Sequence, residues 1–393
     1  MKQILYAFTI WLLLVPLYSG VSHADVIRVG TTQSLTGEFK YFGQEQLRGI
    51  QMWVHDINAR GSLLGKDVEL VYYDDYSEPE RSAVLYRQLI EQDKVDLLIG
   101  PYSSPITLAA STVAEKYNFP MVSAAASAEQ IWQRGYKNIF GVDVPAGAYM
   151  LIAIEVAQQN GARTFDLISS DSVFSQDVAI GVRDELKKRG LTLVRDELYD
   201  LNQKDFGALA KGISESQSDV LLGATYLDDA IAISKAFRAL PAKDKRNINM
   251  VALTVGPAVY QFGTEMGAYA EGIVGVVQWL RSVHKPGGQD FAYRYRVNYG
   301  HNPGVHGAIG YSAGQVIEAA VRLANSIDKD AVREQLKTME FNSLFGLYKV
   351  DDTGRQVGKS NYLLQWQDGE RRLVAPAEVA ERPLIYPRLM PVQ

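Results

Sequence analysis

The chain has 393 residues, 47% hydrophobic and 22% charged, and these fractions exclude a disordered or collagen-like polymer. It contains no Cys, which excludes disulfides, thiolate zinc sites, iron–sulfur clusters, a thiol nucleophile and a Cys-linked lipid anchor. Forty Lys+Arg against 45 Asp+Glu leave a formal charge of -5, so there is no general basic surface for nucleic acid or anionic lipid.

Lys2 is the only charged residue before Asp25, residues 4–17 are almost wholly apolar, and Ser22-His23-Ala24 follows. Small residues at both positions read by a signal peptidase make 1–24 a secretory signal, cleaved before Asp25. The apolar run is shorter than the ~20 residues a membrane span needs. The remaining chain is therefore expected to be soluble and exported, without a membrane anchor.

The body alternates strand and helix. Strands are expected at 26–31, 68–73, 96–100 and 120–124, with helices at 44–60, 80–93 and 105–117 between and after them. After Asp143-Val144-Pro145 the cycle resumes, with helices at 147–160, 176–189, 206–214 and 228–239 and strands at 164–169, 191–197, 219–224 and 249–253. A further strand at 271–277 is followed by helices at 291–299, 312–326 and 331–339. Strands at 347–350 and 362–366 flank a polar Asp351-Asp352-Thr353-Gly354 turn, and residues 382–393 read as an extended strap or a frayed end. Repeated βα units with short apolar strands imply parallel sheets covered by helices on both faces. Two successive sets imply an α/β protein of two doubly wound lobes.

Four motifs carry little chemistry. Gly310-Tyr311-Ser312-Ala313-Gly314 matches a nucleophile elbow, but a poor strand precedes it and all five His lie before Ser312. A helix packed through small residues is the simpler reading, with an exported serine hydrolase as the remote rival. Residues 354–360 resemble a phosphate loop one residue too short and followed by a strand, so a hairpin turn is expected. Asp74, Asp75, Glu78 and Glu80 read as helix-start charge and solvated surface, and His301 with His306 lacks a nearby carboxylate in sequence for a metal.

In open α/β sheets ligands bind beyond the carboxyl ends of the strands. Ser104 is placed as an N-cap with Pro105 at the first helical position, which turns free N–H groups and hydroxyls of Tyr102-Ser103-Ser104 toward a cleft. Ser127 and Gln130 fit a capping box after Ala125. The loop 31–43 carries Ser34, Thr36 and Phe42 at a third strand end. Helix starts of this kind suit a carboxylate. Phe174 and Tyr226 lie at equivalent strand ends of the second set, placed to cover a ligand or to fill core.

Val26-Ile27-Arg28-Val29-Gly30, Asp56-Ile57-Asn58-Ala59-Arg60-Gly61, Tyr73-Asp74-Asp75, Ile99-Gly100-Pro101, Arg134-Gly135-Tyr136 and Ala270-Glu271-Gly272, in this order and spacing, resemble the periplasmic branched-chain amino acid and amide binding proteins of ABC importers. The resemblance spans about 26–366. It implies a type I periplasmic binding fold whose two lobes are joined by three crossovers. One lobe is formed by 25–143 with 278–345, the other by 144–277 with 346–375, and 376–393 is a tail. It implies a small ligand clamped between lobes and delivered to an inner-membrane permease and its ATPase, by a monomer without cofactor; a sensory module for a membrane receptor is the alternative. The ligand carboxylate would meet Ser104, Ala125 and Ser127, with Phe42, Tyr102, Ser103, Phe174, Tyr226 and Thr254 around it. The acid that holds an α-ammonium in amino-acid members is missing from 253–258. A carboxylate or amide without the amine is therefore expected, unless Asp75, Asp171 or Asp228 substitutes. Ser77 and Ser103 stand about where some members carry a disulfide.

Overall fold

A computed structural model describes residues 26–241, 248–283 and 285–388. The expected signal segment and the last residues of the tail lie outside the described residues.

The first sheet contains β1 (Ile27–Gln33), β2 (Val68–Asp74), β3 (Leu97–Ile99), β4 (Met121–Ser123) and β5 (Ile139–Gly141). Its order is β2-β1-β3-β4-β5, parallel throughout. The second sheet has seven strands. β6 (Thr164–Ser170), β7 (Thr192–Tyr199), β8 (Val220–Ala224), β9 (Met250–Leu253) and β10 (Val274–Val277) run parallel in the order β7-β6-β8-β9-β10. One winding pattern thus occurs twice. β13 (Tyr362–Gln367) and β14 (Glu370–Ala375) add an antiparallel hairpin beside β10.

Helices cover the sheets as the apolar spacing predicts. On the first lobe these include α1 (Lys40–Ala59), α2 (Pro79–Glu91) and α3 (Ser104–Lys116). α4 (Leu151–Gln159), α5 (Val173–Arg189), α6 (Gly207–Ser216), α7 (Leu227–Ala239) and α8 (Tyr260–Met266) accompany the second sheet. The chain then returns through α9 (Gly288–Tyr299), α10 (Val305–Ala324) and α11 (Lys329–Thr338), and α10 packs along α1. No helix among the described residues is long and apolar enough to cross a membrane.

Several expectations are corrected. The strands expected to pair across 351–354 do not pair with each other. β12 (Gly346–Tyr348) joins β11 (Phe341–Ser343) in a separate two-stranded ribbon, while β13 enters the large sheet. α10 begins at Val305, so Gly310–Gly314 lies inside a helix and Ser312 is fully buried, without the strand that an elbow requires. Asp75 is no solvated acid: it is completely buried and accepts from Thr32 Oγ1 at 2.9 Å, Ser34 Oγ at 2.7 Å and the Ser77 amide at 3.0 Å. The tail does pack as a strap as far as Arg388: Ile385 exchanges two hydrogen bonds with Gln365, and the Arg388 amide donates to the Asn249 carbonyl.

Candidate functional site

Because both sheets wind alike, both present helix starts at their carboxyl edges. These edges face each other across a small cavity. Tyr102, Ser103 and Ser104 follow β3, Ala125 and Ser127 follow β4, and Asp143 follows β5. Phe174 comes from the start of α5 after β6, Tyr226 from the end of β8 and Val255 from the end of β9. Tyr149 and His306 complete the lining.

The serines are arranged differently from the capping reading. α3 starts at Ser104 itself, and the Ser104 hydroxyl caps another segment: Oγ accepts from the Ser127 and Ala128 amides, each at 3.1 Å. With both acceptances filled, its own proton is free to donate into the cavity. Ser103 takes φ +79° and ψ 152°, a region costly for any residue with a Cβ, and its buried hydroxyl has no hydrogen-bond partner. The capping box at Ser127 is absent. Glu129–Ile131 forms a single 3₁₀ turn, and the Ser127 hydroxyl donates instead to Asp143 Oδ2 at 3.0 Å.

Asp143 is the acid of this cavity, and sequence reasoning saw in it only a break between lobes. Its Oδ2 also accepts from the Tyr149 hydroxyl at 2.8 Å, and Oδ1 accepts from the Val144 amide at 2.8 Å. Burial pushes its carboxyl above the usual range, against these three hydrogen bonds, which favour the charged form. Asp75, Asp171 and Asp228, named as substitutes for the missing acid, do not line the cavity.

Aromatic rings form a near-continuous collar. Tyr149 meets Phe174 at 5.1 Å between centroids, Phe174 meets Tyr226 at 5.5 Å, and Tyr226 meets Phe39 at 5.1 Å. Phe39 in turn meets Tyr102 at 5.7 Å, so the row of rings crosses from the second lobe to the first through the Tyr226–Phe39 contact. These spacings suit edge-on and offset ring contacts.

Two expected residues stand elsewhere. Thr254 is fully buried and spends its hydroxyl on Thr225, accepting from that amide at 2.7 Å and donating to that carbonyl at 2.6 Å. Phe42 stacks on Tyr102 at 4.9 Å but lines an adjoining space. The strand end after β1 is used internally, with Ser34 bonded to Asp75 and Thr36 to Asp74. The remaining expected residues, Tyr102, Ser103, Ser104, Ala125, Ser127, Phe174 and Tyr226, are brought together. His301 does have a carboxylate near it, Glu45 at 3.8 Å from α1, but no metal-holding cluster occurs among the described residues.

Two doubly wound lobes with a small cavity between their carboxyl edges define the class of periplasmic solute-binding proteins with the type I fold. The chain belongs to the periplasmic binding protein family, whose model matches residues 26–371. The Leu/Ile/Val-binding protein homolog 7 of Brucella melitensis is 25% identical over 380 residues, covering 93% of this chain and 95% of that protein. Among solved structures, the branched-chain amino acid substrate-binding protein LivJ of Streptococcus pneumoniae, in complex with isoleucine, is similar with a TM-score of 0.80. It has 23% identity and covers 90% of this chain and 100% of that one. A solute-binding protein of an ABC transporter from R. palustris, in complex with benzoate, has a TM-score of 0.78 and 19% identity, with 93% and 98% covered.

Proposed function

We propose that this protein is exported, its first 24 residues being removed, and that it closes on a small amide or amino-acid-like ligand for delivery to an ABC permease and its ATPase. It performs no chemical step on the ligand. The moving bodies are 25–143 with 278–345 and 144–277 with 346–375. The observation that carries the reading is the cavity itself, built from the strand ends of both sheets, so that closure completes it.

The polar atoms argue for the ligand's chemistry. Ser104 has a proton to give, and Ser103 has an unpartnered hydroxyl, so one end accepts a carboxylate or an amide carbonyl. At the other end Ser127 and Tyr149 have already donated to Asp143, and only their lone pairs remain. That end calls for a donor: an amide N–H or an ammonium. A plain carboxylic acid supplies none there, and its charge would face that of Asp143.

A thermal-shift screen of residues 25–393 tests this with matched sets: α-amino acids, their des-amino acids and the corresponding amides, aliphatic and aromatic. A ligand at about 100 times its Kd adds about 2.7 kcal/mol and is readily seen. Amides or amino acids should stabilise, des-amino acids should not, and Asp143→Asn should blunt the distinction. Stabilisation by des-amino acids alone would mean that Asp143 does not select the ligand.

A further inference from the structure

Beside the ligand cavity lies a larger chamber, partly open to solvent, that the function above does not use. Tyr41, Phe42, Glu45 and Arg48 of α1 line it from the first lobe and Tyr260 of α8 from the second. His306 is common to both linings. It closes a triangle of rings, 4.8 Å from Phe42 and 5.0 Å from Tyr102, which are themselves 4.9 Å apart. Tyr102 belongs to the ligand cavity and Phe42 to the chamber, so the wall between the two spaces is about one side chain thick.

His306 is held in this wall by its ring contacts with Phe42 and Tyr102. It is 7% exposed, and its Nδ1 has no hydrogen-bond partner. Burial lowers its pKa to about 3, so it stays neutral at neutral pH. Turning the ring aside therefore breaks no hydrogen bond at Nδ1 and no ion pair. It also brings a buried nitrogen, now without a partner, within reach of a ligand.

We propose that the cavity and the chamber are two halves of one ligand site, with His306 as the partition, and that the protein accepts elongated amides whose apolar or aromatic arm enters the chamber. This rests on the reading of the first cavity as the place of the polar head. The arm's class is argued from the rings of Tyr41, Phe42, Tyr260 and His306, which share the chamber's lining with the charged or polar side chains of Glu45, Arg48 and His301.

The test is calorimetric titration of residues 25–393 with the probes benzamide, 3-phenylpropanamide and 4-phenylbutanamide, the three matching acids serving only as head-group controls that should not bind. The variants are Val259→Trp and Gln261→Trp, which fill the chamber from the second lobe without touching the first cavity, and His306→Ala. The longest probes should bind wild type at least about tenfold tighter than the shortest. Either Trp variant should erase that advantage and leave the short probes unchanged, while His306→Ala should widen it. Equal loss for short and long probes, or no change in a variant that melts as wild type does, would overturn the two-part site. If wild type binds no probe, the proposed head-group chemistry is wrong, and the partition is then judged from xenon-pressurised crystals of wild type and His306→Ala. Xenon running through the vacated ring position upholds it, and closure of Phe42 and Tyr102 over that position rejects it.

Discussion

Ser103 holds a conformation at φ +79° that only glycine adopts without cost, at the lip of the ligand cavity. Its side chain is thus kept against a backbone preference. Ser103→Gly should raise stability by about 1 kcal/mol through relief of that strain, and should weaken ligand binding through loss of the hydroxyl. Chemical melts and titration read the two effects separately, and a variant that binds as well as wild type would show the hydroxyl idle. Ser104 predicts the reverse coupling. Ser104→Ala removes the acceptor of two amides and should cost about 1–3 kcal/mol of stability as well as affinity.

Lys359 behaves differently again. Its Nζ donates to the Val142 carbonyl at 2.7 Å, and burial lowers its pKa from 10.5 to about 7. Between those values the unfolded chain binds one proton more than the folded one, so stability rises with pH. Below pH 7 both states hold the proton and the burial penalty is fully present. Lys359→Met should flatten the stability curve between pH 7 and 9 by up to about 1.4 kcal/mol per unit, measured by urea melts; parallel curves would refute the shift. At this scale the sequence was least informative. Ser104 was legible because a Ser-Pro helix start is a local signal. Asp143 was not, because Ser127 reaches it only from the neighbouring strand end after β4, and Tyr149 only from the segment after the chain leaves the first lobe.

Among elements, long helices and buried strands were readable from apolar spacing, and short or edge elements were not. β5 is three residues ending in Gly141, too short to show a period, and it is held by β4 and by the Gly354 carbonyl. β14 reads Glu-Arg-Arg-Leu-Val-Ala, a pattern that only its place beside β13 explains. The glycine run in α10 was readable as packing. A Cβ at Gly310 would come within 2.2 Å of the Gln46 carbonyl oxygen in α1, and one at Gly314 within 2.1 Å of Trp53. Gly310→Ala gains up to about 1 kcal/mol of helix propensity but forces two backbones apart, which costs about 1–3 kcal/mol. A net fall in Tm is expected by calorimetry. An unchanged or raised Tm would mean that α1 and α10 separate freely.

For the whole molecule, the doubled winding places two sets of strand ends face to face, and their meeting is what makes a site. Phe39 makes the one ring contact in the collar through which α1's entry loop reaches Tyr226 of the other lobe, at 5.1 Å. Phe39 does not line the cavity, so it acts on the closed state and not on the ligand. A single aromatic pair is worth about 0.5–1.5 kcal/mol beyond area burial, which corresponds to about 2- to 10-fold in an equilibrium constant. In the proposed closing motion the ligand first meets an open lobe, and the Phe39–Tyr226 contact forms later, on closing. Phe39→Ala should therefore speed dissociation by about that factor and leave association nearly unchanged, as stopped-flow fluorescence would read. A slower association with unaltered dissociation would place the ring contact before ligand capture, and the lobes would then already be joined when the ligand arrives.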